Sequence, residues 1–243
     1  MKALLSYFTV LPVGGASLEE AAREAHLLPL VGIFTGLPAA ALILLAPAVP
    51  PGVSATLALG AVLLAAGLHH ADGVLDVGDA LMVRESPARR REVLADARVG
   101  IGGIGALFVV YAPTLAALAA LAAASPGRAA LVLLAGEVSA RSAMLLMLAF
   151  GEPADGGSTS GPFVRALEGG RRPIGLVLAL AAPFPFLLPI DGFATLAGLS
   201  APLVALFALR VARTAFGGIV GDAVGATGEA CRAALLVFLS ATL

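Results

Sequence analysis

Three aspartates with helical spacing are the residues of this 243-residue chain best placed to do chemistry. Asp72, Asp76 and Asp79 lie in the stretch 68–79, which reads Leu-His-His-Ala-Asp-Gly-Val-Leu-Asp-Val-Gly-Asp. At about 100° per residue, a helix places all three carboxylates within an arc of roughly 60°. The spacing therefore predicts one acidic stripe on a helix.

A second acidic segment lies near the C-terminus, between residues 217 and 229. Asp222 and Glu229 are seven residues apart and share a helix face, while glycines recur every four residues at positions 217, 221 and 225. Such glycines are ordinary where membrane helices pack closely. Together with the two acids, they predict a second wall of a site whose first wall is the acidic stripe.

The composition indicates whether these acids belong to a soluble protein or to a membrane protein. The chain is 59% hydrophobic and only 13% charged, with a mean hydropathy of +0.99, which excludes an ordinary soluble domain. Apolar runs near the length of a bilayer crossing favour helices over a barrel. We therefore predict an all-α, polytopic integral membrane bundle of about 6–7 transmembrane helices, forming a single domain over residues 1–243. A single cysteine, Cys231, excludes an internal disulfide.

Apolar runs predict six spans, followed by a polar segment and a short final apolar run. A retained interfacial segment over residues 1–15 and a helix start at Ser17, capped with Glu20, precede them. The loop 157–163 is expected to be a flexible connector, with closure over a substrate as the alternative. The predicted spans are residues 27–49, 53–71, 100–124, 128–150, 173–189 and 193–209, and the polar segment is 210–232.

The basic residues predict the orientation. If the spans alternate, nearly all Lys and Arg residues fall on one side, which should be cytoplasmic, and only Arg128 lies on the other. The acidic stripe would lie on the same side, where the second span leaves the membrane. We expect a cell-membrane protein with its site facing the cytoplasm. The residues assigned to that side are Lys2, Arg23, the clusters at 84–98 and 165–172, Arg210, Arg213 and Arg232.

The acidic stripe itself predicts a divalent-cation site. An interfacial aspartate is more often a solvated helix end or the partner of a nearby arginine. Three carboxylates on one stripe repel, however, which is costly at a bilayer edge unless a cation neutralises them. Carboxylate oxygens suit Mg²⁺, which keeps water or phosphate oxygens as its other ligands. We therefore predict a metal site that holds a diphosphate.

Six motifs follow one another along nearly the whole chain. They are Phe8-Thr9-x-x-Pro12, Leu28-Pro29-Leu30-Val31-Gly32, His70-Ala71-Asp72-Gly73-x-x-Asp76-x-x-Asp79, Asp96-Ala97-Arg98-Val99-Gly100, Ser139-x-Arg141 and Gly221-Asp222-x-x-Gly225-Ala226-x-x-Glu229. Together they resemble the cobalamin synthase family, the adenosylcobinamide-GDP ribazoletransferases of the vitamin B12 pathway. Ala80 stands where the family usually has glycine, and the motif histidine is doubled as His69-His70.

The resemblance implies a Mg²⁺-dependent transfer. A hydroxyl of α-ribazole, or of its 5′-phosphate, attacks adenosylcobinamide-GDP and displaces GMP, giving adenosylcobalamin or its phosphate. One of the stripe aspartates, or His70, would remove the hydroxyl proton. The implied metal ligands are Asp72, Asp76, Asp79 and Asp222, and the implied substrate contacts are Arg98, Arg141, Asp96, Asp222 and Glu229.

Two of these assignments have alternatives. Arg141 lies inside an apolar span, where an unpaired charge is costly and usually functional, but it could instead pair with Glu137 four residues earlier. A helical wheel places His69 on the carboxylate face, whereas the family pattern aligns with His70. The basic cluster at residues 89–91 is interpreted as a topology and lipid-headgroup determinant.

Two other protein classes also place acids in membrane helices. A second membrane transferase of diphosphate-activated substrates, such as a CDP-alcohol phosphatidyltransferase or a prenyltransferase, would show acidic boxes that this chain does not reproduce. A transporter should hold its acids near the middle of the bilayer, whereas these cluster at one edge. The expected partners are the two small-molecule substrates and the lipid bilayer. No nucleic acid is expected, and the sequence leaves an oligomer open.

Overall fold

The computed structural model of the chain describes residues 1–154 and 159–242, so residues 157 and 158 of the predicted connector lie outside the described part. Its helices are α1 (Lys2–Phe8), α2 (Leu18–Arg23), α3 (Leu28–Ile43), α4 (Pro51–Ala65), α5 (His69–Met82), α6 (Pro87–Leu94), α7 (Ile101–Ala124), α8 (Pro126–Phe150), α9 (Gly161–Ala166), α10 (Arg171–Ala181), α11 (Phe184–Leu187), α12 (Ser200–Phe216) and α13 (Gly221–Ser240). Short 3₁₀ turns at Ala25–Leu27 and Ala194–Leu199 precede α3 and α12.

The described residues form an all-α membrane protein, as the composition predicts. Five helical segments are long and apolar enough to cross a bilayer, and α4 and α5 together would make a sixth, broken one. The prediction of a polytopic bundle is confirmed. The five or six spans lie just below or at the lower end of the predicted range of about 6–7. The five segments are Ala25–Ile43, Ile101–Ala124, Pro126–Phe150, Ala194–Phe216 and Gly221–Ser240.

Helix α8 is the centre of the bundle. Every residue from 132 to 149 is buried, because α3, α7, α10, α12 and α13 all pack around it. A helix that is apolar on all sides is expected to take such a position. The closest approach is at Gly32 of α3, where a Cβ atom would lie only 2.5 Å from the carbonyl oxygen of Glu137. A glycine is therefore required there.

The second predicted span, 53–71, ends early and turns. Helix α4 stops at Ala65, and Gly67 and Leu68 take left-handed φ values of 66° and 63°. The Leu68 amide bonds to the Leu63 carbonyl and the Gly67 amide to the Leu64 carbonyl, which is the pattern of a Schellman C-cap. Helix α5 then leaves at 90° to α4. The acidic stripe thus lies on a separate helix rather than at the end of a straight span.

Helix α8 also defines the two ends of the bundle. At the end where α8 terminates, termed the Phe150 end, the Arg172 guanidinium lies 5.0 Å from the Phe150 ring. At the opposite end, Leu187 packs in one cluster with Ala129. Helices α10 and α11 therefore run along α8 from its Phe150 end towards its opposite end. The predicted fifth span, 173–189, is interrupted between them at Ala182 and Pro183, because the proline ring limits helix continuation.

The C-terminal prediction needs correction. The polar segment 210–232 and the short apolar run after it are instead the end of α12 and one long helix, α13. Arg232 was assigned to the cytoplasmic side, but it is fully buried within α13. It is therefore not a topology determinant. The helix start at residue 17 is confirmed: the Ser17 amide donates to the Glu20 carboxylate, and the Glu20 amide donates to the Ser17 hydroxyl.

Candidate active site

Helix α5 lies across the Phe150 end, packed between the first turns of α7 and α13. Two of its glycines permit this packing. A Cβ atom at Gly73 would lie 2.7 Å from the Asp222 carbonyl oxygen, and one at Gly78 would lie 2.7 Å from the Gly102 carbonyl oxygen. Substitution of either glycine would push α5 away from its neighbour. The close contact at Gly73 places Asp222 of α13 beside the stripe on α5.

Four carboxylates collect at this place. Partial burial disfavours the charged form of Asp76, and the nearby Asp72, Asp222 and Asp79 carboxylates add like-charge repulsion. Asp222 is likewise partly buried and is repelled by Asp72. Asp72 is exposed, whereas the other three side chains are partly buried. The structure therefore brings together the four residues that the sequence assigns to a metal. We call Asp72, Asp76, Asp79 and Asp222 the acidic cluster.

Asp79 has a structural role that its sequence position does not reveal. Its carboxylate accepts the Gly100 amide at 2.7 Å and the Gly103 amide at 2.8 Å. Both amides belong to the start of α7, where helical N–H groups lack partners and negative charge is favourable. Asp79 thus caps α7 from a different helix. A carboxylate has about four acceptor positions, so two remain for another ligand.

The acidic cluster fits a hard cation whose remaining ligands come from the substrate. Within residues 1–154 and 159–242, no group of three or more His, Cys, Asp or Glu side chains is arranged so that it could hold a metal ion by itself. Mg²⁺ does not require such a group, since it usually binds one or two carboxylates and takes its other ligands from water and substrate phosphates. Asp72, Asp76 and Asp222 offer such oxygens at a partly open surface.

Two cavities adjoin the acidic cluster. The larger, of about 320 Å³, reaches Asp222, and the smaller, of about 280 Å³, reaches Asp72. His69 lines both. The larger cavity is lined by Tyr7, Phe8, Ala66, His69, His70, Met144, Leu148, Thr159, Ser160, Phe163, Gly221, Asp222, Val224 and Gly225, and the smaller by Gly67, Leu68, His69, Ala71, Asp72, Leu75 and Leu107.

Both histidines of the doubled motif are at the site, in different surroundings. His69 is exposed, whereas His70 is only 6% exposed and faces the bundle interior. The Nδ1 atom of His70 lies 3.9 Å from Glu229 Oε1, too far for a hydrogen bond, and has no other hydrogen-bond partner among the described residues. Proton removal by His70 remains a prediction. His69 lines the smaller cavity together with Asp72, in agreement with the helical wheel.

A buried charge network lies behind the site. Glu137, at the centre of α8, accepts the Thr35 hydroxyl at 2.6 Å and Nη1 of Arg232 at 2.8 Å. Arg141 Nη2 is 3.5 Å from the same carboxylate. Both arginines and Glu137 are completely buried. The pairing of Arg141 with Glu137, which is the structural alternative from the sequence, is therefore present, and a phosphate contact for Arg141 remains a prediction.

Glu229 belongs to the same network and lines neither cavity. It pairs with Arg232 and accepts the Tyr111 hydroxyl at 2.9 Å. The negative charges of Glu137 and Glu229 thus balance the positive charges of Arg141 and Arg232 inside the bundle, because buried charges need partners. Substrate contact by Glu229 remains a prediction, and its observed contacts are structural. The sequence does not single out Tyr111, and it places Arg232 on the cytoplasmic side, although a charged residue in an apolar helix is a signal of a buried partner.

Asp96 and Arg98 lie four and two residues before Gly100, whose amide donates to Asp79. They pair with each other in the segment between α6 and α7, where the Arg98 side chain is 89% exposed. Hydrogen bonds from the Arg98 side chain and backbone lower the pKa of Asp96 to about 2. Neither residue lines the two cavities. Their proposed contacts with substrate therefore remain predictions.

Fold and site together define a polytopic α-helical membrane protein with an acidic cluster and an adjoining cavity at one end. The chain belongs to the cobalamin-5-phosphate synthase family, whose model matches residues 1–240. This agrees with the resemblance seen in the six motifs.

Named relatives cover almost the whole chain. The chain is 38% identical to an adenosylcobinamide-GDP ribazoletransferase of Pyrobaculum calidifontis, over 98% of this chain and 97% of the relative. The enzyme of the same name from Azorhizobium caulinodans is 35% identical, with 97% and 92% covered, and that of Pyrococcus abyssi is 32% identical, with 100% and 98% covered. No solved structure gives a significant match.

Proposed function

We propose that this protein is an adenosylcobinamide-GDP ribazoletransferase. A hydroxyl of α-ribazole, or of its 5′-phosphate, forms a bond to the cobinamide-side phosphorus, and the bond from that phosphorus to GMP breaks. The products are GMP and adenosylcobalamin or its 5′-phosphate. The observation that carries the proposal is the likeness to ribazoletransferases over nearly the whole chain, joined with an acidic cluster suited to a divalent cation that binds a diphosphate.

We further propose that the reaction depends on Mg²⁺ held by the acidic cluster. Asp72, Asp76 and Asp222 would be the main ligands, and Asp79 would keep α7 in place while its remaining lone pairs face the same ion. When bound, Mg²⁺ would neutralise charge on the diphosphate and stabilise the departing phosphate. The protein's own part is then to hold the hydroxyl and the phosphorus in line.

An assay with purified protein in detergent or liposomes tests both proposals. With adenosylcobinamide-GDP, α-ribazole and Mg²⁺, we expect release of GMP together with a cobalamin product. EDTA should abolish both, and added Mg²⁺ should restore them. Folded protein that gives no turnover would contradict the transferase, and GMP release without ribazole incorporation would indicate a diphosphate hydrolase. A rate unchanged by EDTA would contradict the metal dependence alone.

We propose that the acidic cluster faces the cytoplasm of a cell-membrane protein. Arginines collect at the same end of the bundle: Arg91 donates to the Phe216 carbonyl, Arg213 donates to the Phe150 carbonyl at 3.3 Å, and Arg172 lies over the Phe150 ring. Cytoplasmic segments of membrane proteins carry such an excess of Arg and Lys. The excess of arginines at this end remains when the buried Arg232 is not counted.

Labelling with a membrane-impermeant thiol reagent tests this orientation. Arg90→Cys, beside the acidic cluster, should be labelled only in inverted vesicles, and Gly52→Cys, at the opposite end, only in intact cells. The native Cys231 is buried and unpaired, so the parent protein serves as the unlabelled control. Labelling of both positions from one side would refute the orientation.

A further inference from the structure

Three aromatic rings wall the larger cavity and are not used by the proposed phosphate chemistry. The Tyr7 and Phe8 rings of α1 lie 5.0 Å apart, and the Phe163 ring of α9 lies 5.6 Å from each of them. Ring centroids at such distances form an interacting aromatic group. Phe163 is almost fully buried, whereas Tyr7 is 36% exposed at the rim. These rings are called the aromatic wall.

The same cavity reaches the proposed reaction site. Asp222 of the acidic cluster and His70 both line it, and the Phe8 ring centroid is 6.2 Å from that of His70. Met144 and Leu148 of α8 contribute an apolar surface. A ligand with an aromatic part against the wall would therefore present its other end to the acidic cluster.

The size of the cavity excludes the corrin ring of the larger proposed substrate. At about 320 Å³ it lies at the lower limit of ligand pockets, which run from about 300 to 1,000 Å³. A corrinoid that carries a nucleotide is far larger than this, whereas a flat aromatic base linked to one ribose is a small ligand. Aromatic side chains bind such bases by stacking on their faces.

We infer that this cavity binds the aromatic base of α-ribazole against Tyr7, Phe8 and Phe163, an inference that rests on the proposed function. The ribose then extends towards Asp222 and the histidines, so its hydroxyl reaches the diphosphate held at the acidic cluster. The wall is a specificity-determining element, because the shape of the cavity limits which bases fit. The corrinoid substrate lies outside it.

Steady-state kinetics of Phe163→Leu test the inference. The leucine keeps the site apolar but removes the ring, so the KM for α-ribazole should rise at least about fivefold, the lower end of the loss expected from base stacking. The KM for adenosylcobinamide-GDP should stay at the parent value. Phe207→Leu on α12 is the matched control, since Phe207 is 70% exposed, and it should change neither constant.

Two kinetic outcomes would overturn the inference: a rise in the KM for adenosylcobinamide-GDP instead, or no change in either constant. A binding measurement covers the case in which Phe163→Leu fails to fold. The chain has no tryptophan, so Tyr7→Trp places a single indole at the rim of the cavity. Added α-ribazole should change its fluorescence saturably, and added GMP should not.

The two measurements separate the inference from the proposed function. If the parent protein shows no turnover, the proposed function fails, and the fluorescence titration still decides whether the cavity takes the base. If the parent protein turns over but α-ribazole leaves the fluorescence of Tyr7→Trp unchanged, the cavity assignment fails and the proposed function stands.

Discussion

Asp76→Asn should abolish ribazole transfer and leave the protein as stable as the parent or more stable. Asp76 stands among Asp72, Asp79 and Asp222, and each of these carboxylates repels its charge. Removal of one charge from the acidic cluster lowers this repulsion. It also replaces a charged carboxylate ligand of the proposed metal ion with a neutral amide. We expect the rate of GMP release to fall on the order of a hundredfold or more, the usual cost of losing one group that stabilises developing charge.

The combination of lost activity and retained stability is the informative result. A substitution that merely damages the fold lowers both the rate and the thermal unfolding midpoint in detergent. Glu168→Gln, an exposed acid outside the acidic cluster, removes the same charge and should change neither. Full activity of Asp76→Asn at a saturating Mg²⁺ concentration would refute the role proposed for Asp76.

Arg232→Met should destabilise the protein more than either Asp76→Asn or Phe163→Leu. Arg232 contacts both buried acids: its Nη1 atom is 2.8 Å from Glu137, and its guanidinium also pairs with Glu229. Methionine fills much of the same space but leaves Glu229 without its arginine partner inside the bundle. Removal of one partner from a buried ion pair costs about 3–5 kcal/mol, which corresponds to a fall of roughly 6–20 °C in the unfolding midpoint of a chain of this size.

A second substitution identifies the cause of that loss. In Arg232→Met with Glu229→Gln, the unpaired charge is neutralised while Glu137 keeps Arg141 at 3.5 Å, so part of the stability should return. Arg210→Met removes an exposed arginine from α12 and should have little effect, as is usual for surface substitutions. Equal unfolding midpoints for Arg232→Met and Arg210→Met would show that the network contributes nothing to stability.

The turn between α4 and α5 illustrates why the sequence places the acidic stripe on the wrong element. Residues 53–71 form one apolar run, and a glycine within such a run does not reveal whether it adopts a left-handed φ. The bend at Gly67 has its local C-cap, but α5 also packs on distant segments, with Gly73 on Asp222 and Gly78 on Gly102. Those contacts join segments far apart in sequence, so periodicity alone does not predict the bend.

The sequence by itself determined that the chain lies in a membrane, that it folds as a helical bundle, and which acids share a helix face. Hydropathy is a sum over residues, so a helical membrane bundle follows from composition, and the stripe of Asp72, Asp76 and Asp79 follows from helical spacing alone. Ser17 and Glu20 form the predicted cap for the same reason, since all their contacts lie within one turn. The six motifs then indicated the family that the comparisons establish.

Only the tertiary structure decided the roles that depend on distant partners. Arg232 looks like a cytoplasmic arginine in the sequence, and becomes a buried counter-charge because Glu137, on another helix, faces it. Asp79 caps α7 because α5 crosses the start of that helix. The aromatic wall exists because α9 and α1 both pack on α2, which brings Phe163 to Tyr7. In each case, the stabilising contact joins segments that are far apart in the chain. Local sequence patterns therefore do not predict it.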